Sequence, residues 1–319
     1  MLNEILARRV VFLVGKGGVG KTTLSGGLGL LAAARGARTL VMECDGHAPL
    51  ASAFGIKPSY EPVEAAPRLS VMQLDGRLAL EQYLQIVVHA RMILRAVFAS
   101  RLYQFFVQAA PGLRELMALG KVLFEEQRKH NREPYWDLII VDAPASGQAL
   151  SWLRMAEAAR ETFGGAIAGR EAQNISQMLR DPAICTIVEV TTADSLAISE
   201  LLETHAALHA MGLAPAAVVF NRLNVAGFDA ADVSLLAKLS GPHRDLKRAG
   251  RLAEIARAHL SQSAHAMRAL KRVREETGLP VIEIAERPGL HRAALASAIA
   301  SSLGAMLDAE GPHRAATRG

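Results

Sequence analysis

A glycine-rich segment near the start of the chain restricts the fold more than any other feature. It reads GKGGVGKT from Gly15 to Thr22, fits the pattern G-x-x-x-x-G-K-[ST], and follows the apolar run VVFLV. Glycines let the backbone turn tightly and point successive N–H groups into one concavity, where the N-terminus of the next helix adds partial positive charge. The segment therefore predicts a strand, a phosphate-binding loop and a helix, in that order.

Each residue of this loop has an expected role if the ligand is a nucleotide. Lys21 would reach the β and γ phosphates, and the Thr22 hydroxyl would bind Mg²⁺. The backbone around them would supply further phosphate contacts. The residues that we expect to bind nucleotide here are Gly17, Gly18, Val19, Gly20, Lys21, Thr22 and Thr23.

The rest of the chain predicts an α/β fold. Apolar, β-branched segments alternate with amphipathic stretches of helical length, and strands separated by helices join as right-handed βαβ units. We expect a mainly parallel, doubly wound sheet of the P-loop nucleotide-hydrolase type with an added helical subdomain. The predicted strands are 10–14, 39–43, 69–74, 138–141, 184–190, 217–220 and 281–284.

Asp142 is a second candidate functional residue. It directly follows the apolar segment LIIV, a pattern typical of the carboxylate that helps to hold Mg²⁺, directly or through water, beside a phosphate-binding loop. The alternative is an aspartate that only caps the turn after its strand. Because ligands bind beyond the carboxyl ends of parallel strands, we expect Asp142 and the glycine-rich loop at the same edge of the sheet.

The longer string KGGVGKTT, from Lys16 to Thr23, resembles the deviant P-loop ATPases. These include nitrogenase iron protein, chromosome-partitioning and division-site ATPases, and arsenite-pump or tail-anchored-protein-targeting ATPases. In those families the first lysine reaches across a dimer interface to the partner's phosphates. The resemblance implies that Lys16 acts in catalysis beside Lys21, in a homodimer or in a heterodimer with a related ATPase. From the eight-residue pattern alone, Lys16 reads as a solvated loop lysine.

Two further segments are similar to the arsenite-pump and tail-anchored-protein-targeting ATPases in particular. The matches to switch I and switch II of that family are Asp45, Leu50, Ala53, Phe54, Gly55, Asp142, Gly147 and Leu150. The chain departs from the family at 46–49, which read GHAP, and at Gln148, where the family has a histidine. Cys44 and Cys185 provide neither a zinc clasp nor a metalloid site, so the resemblance does not extend to arsenite transport.

The same resemblance implies roles for residues outside the loop. Asp45 would orient or deprotonate the attacking water and take part in the metal site, and Asn221 would contact adenine. Backbone around Arg287 and Pro288 would close over the base. From the residues alone, Asp45 could instead cap a turn, and Asn221 could form an Asx-turn at a strand end.

Composition limits the class of protein. The 319 residues carry a formal net charge of +5 and two cysteines, without any uncharged apolar run long enough to cross a bilayer. A strand is expected soon after Met1, so we expect no signal peptide, no integral membrane segment and a cytoplasmic location. Much of the positive charge lies in a predicted helix at 243–276, whose basic face lacks aromatic residues. The residues that recur there at roughly helical spacing, and that predict its apolar face, are Leu252, Ile255, Leu260, Met267, Leu270 and Val273. The basic face reads as a solvated surface or a patch for an acidic partner, and we expect no nucleic-acid partner.

The segment between the two switches predicts helices with more apolar surface than one contact with a sheet requires. It runs from Leu78 to Gln127 and carries Arg91, Arg95 and Arg101. The excess suggests a dimer contact or a groove for a hydrophobic client, and a helical subdomain packed on itself is the alternative. We expect one domain over 1–309, with this helical subdomain at about 77–130, and a flexible tail at 310–319.

Three functions follow as hypotheses. The preferred one is an ATP-hydrolysing dimeric switch that couples turnover of ATP with Mg²⁺ to binding of a hydrophobic protein partner. The second is a partitioning or division-site type of ATPase that acts on DNA or a membrane. The third is an ATP-binding regulatory subunit of a heterodimer with weak hydrolysis.

Overall fold

The structure is a computed structural model that describes most of the chain. The described residues are 1–44, 46–88, 94, 97–101, 103–105, 112–163, 167–239 and 244–310. Three residues from the sequence analysis, Asp45, Arg91 and Arg95, lie outside the described residues, as does 311–319 of the predicted tail. Glu310, which we expected in that tail, is instead the last residue of a helix.

A parallel sheet with helices on both faces forms the centre of the molecule, which confirms the predicted fold class. Eight of the described strands pair in the order β10-β9-β8-β1-β7-β2-β4-β3, and each pair is parallel except β3 with β4. The strands are β1 Val10–Gly15, β2 Thr39–Glu43, β3 Val63–Ala66, β4 Leu69–Gln73, β5 Lys129–His130, β6 Glu133–Pro134, β7 Leu138–Ala145, β8 Cys185–Thr191, β9 Pro215–Leu223 and β10 Val281–Ala285. The helices are α1 Leu2–Leu6, α2 Lys21–Ala34, α3 Pro49–Ala53, α4 Gly76–Val87, α5 Leu113–Gln127, α6 Ser146–Phe163, α7 Ile167–Arg180, α8 Ser195–Ala210, α9 Ala230–Lys238, α10 Arg244–Thr277 and α11 Arg292–Glu310.

The central strands are apolar throughout because both faces of the sheet are covered. In β1, Phe12 and Val14 point into a core that α5, α6 and α7 share, whereas Val11 and Leu13 point into a core with α2 and α11. This two-sided burial explains why continuous apolar runs, rather than alternating ones, marked the strands in the sequence.

Three short strands were not predicted from the sequence. The strand β3 pairs antiparallel with β4 across a turn in which Arg68 has φ 63°, and β5 pairs with β6 in a separate hairpin. Each has only two to four residues, and β3 reads VEAA, in which alanine and glutamate are poor strand formers. Local pattern therefore gave no signal for them.

The predicted basic helix is present as α10, but its buried face differs from the expected one. Leu270 and Val273 are buried as expected, whereas Leu252, Ile255 and Met267 are each about half exposed. Alanines occupy the contact positions instead: Ala253, Ala256, Ala266 and Ala269 are buried. Small side chains allow neighbouring helices to approach closely. The helices α8 and α9, which pack against α10, therefore decide which of its faces is buried.

No helix in the described part of the chain is long and apolar enough to cross a membrane.

The predicted helices between the switches are present as α4 and α5. Several residues between these two helices lie outside the described ranges. Within α5, Lys121 and Glu125 form a buried ion pair of 2.9 Å, to which the Trp136 indole adds a hydrogen bond.

The close packing of α2 on α11 gives a stability prediction. A methyl group at Gly27 would lie 2.6 Å from Cγ2 of Ile299 and 3.1 Å from the carbonyl oxygen of Ala296, so Gly27→Ala should force the helices apart. We expect it to lower the free energy of unfolding by about 1–3 kcal/mol in urea titrations. The matched control is Gly304→Ala on α11, where the new methyl would meet Leu31 at 3.5 Å. It should be neutral or stabilise by about 0.5–1 kcal/mol, and equal effects of the two substitutions would contradict the packing argument.

Candidate nucleotide-binding site

The glycine-rich loop joins β1 to α2 and has the conformation that the sequence predicted. Gly18 and Gly20 have φ values of 87° and 97°, in the region that side chains disfavour. At Gly15, a methyl group would lie 2.2 Å from the carbonyl oxygen of Val190 in the adjacent strand β8. The backbone can therefore follow this path only with glycines at these positions.

Lys21 lies in the concavity of this loop. Its ammonium group donates hydrogen bonds to the carbonyl oxygens of Gly15 at 2.7 Å and Lys16 at 3.2 Å. Burial lowers the pKa of Lys21, and the negative charge of Asp142 acts in the opposite direction. The loop thus holds one cation at its centre, ready to meet an anion.

Thr22 and Asp142 come together beside that cation, although they are far apart in the sequence. The Thr22 hydroxyl donates a hydrogen bond of 2.5 Å to Oδ2 of Asp142, which is 3% exposed. The position of Asp142 follows from the parallel register of β7 with β1, in which it pairs with Leu13. A hydroxyl and a carboxylate are oxygen ligands of the kind that Mg²⁺ prefers, and this ion typically takes few protein ligands because substrate phosphates and water supply the rest. The described residues contain no cluster of three or more His, Cys, Asp or Glu side chains that could hold a metal ion.

A cavity of about 630 Å³ opens above the loop. Pro144 and Gln148, in the segment that matches switch II, border this cavity, as do Cys44 and Gly46 beside the match to switch I. The predicted phosphate and metal residues that line it are Gly17, Gly18, Gly20, Lys21, Thr22 and Asp142. Burial raises the pKa of the Cys44 thiol.

A second cavity of about 320 Å³ adjoins the loop on its other side. The predicted nucleotide residues that line it are Gly20, Thr23, Asn221, Arg287 and Pro288. The Asn221 amide donates a 2.8 Å hydrogen bond to the Val19 carbonyl, so it also anchors the loop. Gly20 permits this contact because a methyl group there would lie 2.4 Å from Nδ2 of Asn221.

Lys16 is not among the described residues that line either cavity. Its ammonium group lies 3.4 Å from Oδ1 of Asp194, and its side chain is 25% exposed. Asp194 also caps α8 by accepting a hydrogen bond from the Ala197 N–H, and this bond, followed by Lys16, lowers the pKa of Asp194.

Sequence reasoning missed Glu43 and Asp194. Glu43 is fully buried at the end of β2, and its carboxylate accepts hydrogen bonds from the backbone N–H groups of Leu50 and Ala51, at 2.5 and 3.3 Å. It thereby fixes the start of α3 in switch I. Asp194 precedes a helix, which is a usual N-cap signal, but its contact with Lys16 is visible only in the fold.

The loop, the Thr22–Asp142 pair at the carboxyl edge of a parallel sheet and the flanking helices define a P-loop nucleotide hydrolase. Comparison with known proteins narrows this class, because the anion-transporting ATPase family matches residues 8–172. The chain belongs to that family, and it is an ATPase.

Individual relatives agree with this assignment. ATPase BagA of Mycobacterium tuberculosis is 27% identical over 237 residues, which cover 72% of this chain and 69% of the relative. An ATPase ASNA1 homolog of Entamoeba dispar is 31% identical over 160 residues, 47% of each chain. ATPase ASNA1 homolog 1 of Paramecium tetraurelia is 30% identical over 145 residues, 45% of this chain and 42% of the relative.

The Thr22–Asp142 pair gives a prediction about the metal. Thr22→Val removes the hydroxyl but keeps the shape, so we expect ATP to bind about tenfold or more weakly in the presence of Mg²⁺ and unchanged in EDTA. Isothermal titration calorimetry with and without the metal measures both affinities. The matched control is Thr23→Val, which should change the two affinities by equal factors. A Thr22→Val protein with normal affinity in Mg²⁺ would exclude Thr22 from the metal site.

Proposed function

We propose that this ATPase is a dimeric switch in which Lys16 of each subunit completes the nucleotide site of the other. Nucleotide-dependent movement of the two switches is then passed to α4 and α5, which bind a hydrophobic helix of a protein partner. The dimer is a homodimer or a heterodimer with a related chain.

The position of Lys16 carries this proposal. Lys21 already occupies the phosphate concavity, whereas the Lys16 ammonium contacts Asp194 and is not among the described residues that line the cavities. An ion pair this exposed contributes only about 0–1 kcal/mol, so a phosphate group of a second subunit can replace it. A second cation at the phosphates would stabilise the charge that develops during phosphoryl transfer.

The remaining site residues have proposed roles in the same reaction. Thr22 and Asp142 would hold Mg²⁺, which when bound would neutralise phosphate charge. Asp45 orients the attacking water, and in the sequence it directly follows Cys44, a residue that lines the larger cavity. Asn221 and the loop at Arg287 and Pro288 surround the adenine.

A packed connection links switch II to the helices between the switches. Helix α6 begins at Ser146, directly after β7, and its Met155 contacts Gly112 so closely that a methyl group there would lie 1.7 Å from the sulfur. A second close contact joins α5 to α4. A methyl group at Gly76, at the start of α4, would lie 2.0 Å from the carbonyl oxygen of Arg114 in α5. Because no side chain separates the contacting atoms at either glycine, we expect a movement of α6 to displace α5 and α4 with it.

The partner surface lies on α4 and α5. Ile86 and Val87 near the end of α4 are 52% and 43% exposed, and Phe124 on α5 is 41% exposed. A small apolar cleft between these helices is bordered by Ile86, Phe124, Tyr83 and Met117. Exposed aliphatic and aromatic side chains beside such a cleft suit the apolar face of a helix.

Lys16→Ala tests the dimer. We expect it to abolish ATP-dependent dimerisation in light scattering and to lower kcat at least about 100-fold. Lys57→Ala, which removes another exposed lysine, is the control and should change neither measurement. A monomer in every nucleotide state, or turnover indifferent to Lys16, would contradict the proposal.

Mixing two inactive proteins extends the same test and separates action across the interface from action within one chain. In a mixture of Lys16→Ala with Asp142→Asn, a mixed dimer has one site with an intact Asp142 that receives Lys16 from its partner. Statistical mixing should restore about a quarter of wild-type turnover. Asp194→Ser, which keeps a helix cap but frees Lys16, should retain full activity. No restoration in the mixture would place Lys16 in its own site.

The partner surface has a separate test. A fluorescent peptide of an 18-residue leucine-rich helix should bind the wild type, and Ile86→Ser with Phe124→Ser should weaken binding about tenfold or more by anisotropy. Leu235→Ser, which changes a residue 59% exposed on α9, is the matched control and should bind normally. Equal loss in both proteins would show that the peptide adsorbs without a defined site.

A further inference from the structure

Arg222 has an unusual backbone at the end of β9. Its φ is 54°, in the left-handed region that non-glycine residues rarely adopt. Between the pairs Glu283–Phe220 and Ala285–Leu223, β9 contains one residue more than β10, so the strand bulges here. Such bulges redirect side chains, and strained backbone of this kind concentrates at functional sites.

The bulge places Arg222 between the two cavities of the nucleotide site. The larger cavity contains the phosphate loop and Asp142, and the smaller one contains Asn221 and the loop after β10. Only Gly20 and Arg222 are shared by the described linings of both cavities. Arg222 therefore lies at the neck where the phosphate end of the site meets the base end.

The guanidinium of Arg222 is an unpaired cation at this neck. It makes no hydrogen bond or ion pair with the described residues, and its side chain is exposed. Other arginines have carboxylate partners, as Arg9 has Glu126 and Arg38 has Asp137. An exposed cation without a protein partner is available to an anionic ligand.

The side chain of the neighbouring Asn221 is already engaged in hydrogen bonds with the protein. The Asn221 amide donates to the Val19 carbonyl, and its oxygen accepts a 2.9 Å hydrogen bond from the Arg222 N–H. Asn221 thus holds the phosphate loop with one end and the bulge with the other. The charged group that faces the neck is the Arg222 guanidinium.

We propose that Arg222 binds the α-phosphate of the nucleotide in its own subunit. With Lys21 at the β and γ phosphates and the base in the smaller cavity, the α-phosphate lies between them, at the neck. A guanidinium can donate two parallel hydrogen bonds to phosphate oxygens. The contact is the same for ATP, ADP and AMP, so it adds affinity without favouring the transition state. This inference rests on the nucleotide site proposed above but not on the dimer.

A nucleotide series tests the proposal with a matched pair of variants. Arg222→Gln and Arg222→Lys impose the same backbone strain and differ in charge, and Arg222→Gly relieves the strain, so that it folds at least as well as the wild type. In calorimetry, Arg222→Gln and Arg222→Gly should bind ATP, ADP and AMP about tenfold more weakly and adenosine normally. Arg222→Lys should recover part of the affinity for the three phosphorylated ligands.

Three results would overturn the proposal. Unchanged affinity for ATP, ADP and AMP would remove Arg222 from the site. Equal weakening of adenosine would show that the substitution only disturbs the smaller cavity. A fall in kcat with unchanged affinity would assign Arg222 to the transition state, in its own or a partner's site. Failure of the wild type to bind any nucleotide would instead contradict the site itself, so the two failures are distinguishable.

Discussion

The close contact of the phosphate loop with its neighbouring strands supports the rest of the site. Gly15 lies against the carbonyl oxygen of Val190 in β8, and Gly20 lies against the amide of Asn221 in β9. The Lys21 ammonium closes the loop from inside by binding two of its carbonyl oxygens. Since the loop is held from three directions, its N–H groups are fixed before any phosphate arrives, and little ordering remains to be done on binding.

Carboxylate side chains hold the elements around this loop in place. Glu43 fixes the start of α3 through two backbone hydrogen bonds, and Ser146 at the start of α6 donates a 2.8 Å hydrogen bond to Glu200 of α8. The same helix α8 carries Asp194, which binds Lys16. Helix α8 and its N-cap therefore contact both the start of α6 and Lys16.

Much of the fold could be predicted, because its signals are local. The strands β1, β2, β4, β7, β8, β9 and β10 were all expected within a few residues of their ends. Their apolar, β-branched runs are long and buried on both faces. The short strands β3, β5 and β6 gave no such signal. The prediction of the buried face of α10 was wrong at Leu252, Ile255 and Met267, which are exposed. Those outcomes depend on the elements that pack against them, which local periodicity does not contain.

The sequence by itself determined the chemistry of the phosphate loop and the class of the fold. Glycines at fixed spacing, one central lysine and a following threonine leave the backbone few other conformations, and the alternation of strands and helices leaves few other topologies. Only the tertiary structure decided which distant residues meet that loop. It placed Asp142 on Thr22, Asp194 on Lys16 and Arg222 at the neck of the site. These contacts depend on strand register, on a helix end and on a bulge, all of which are set when strands far apart in the chain pair side by side.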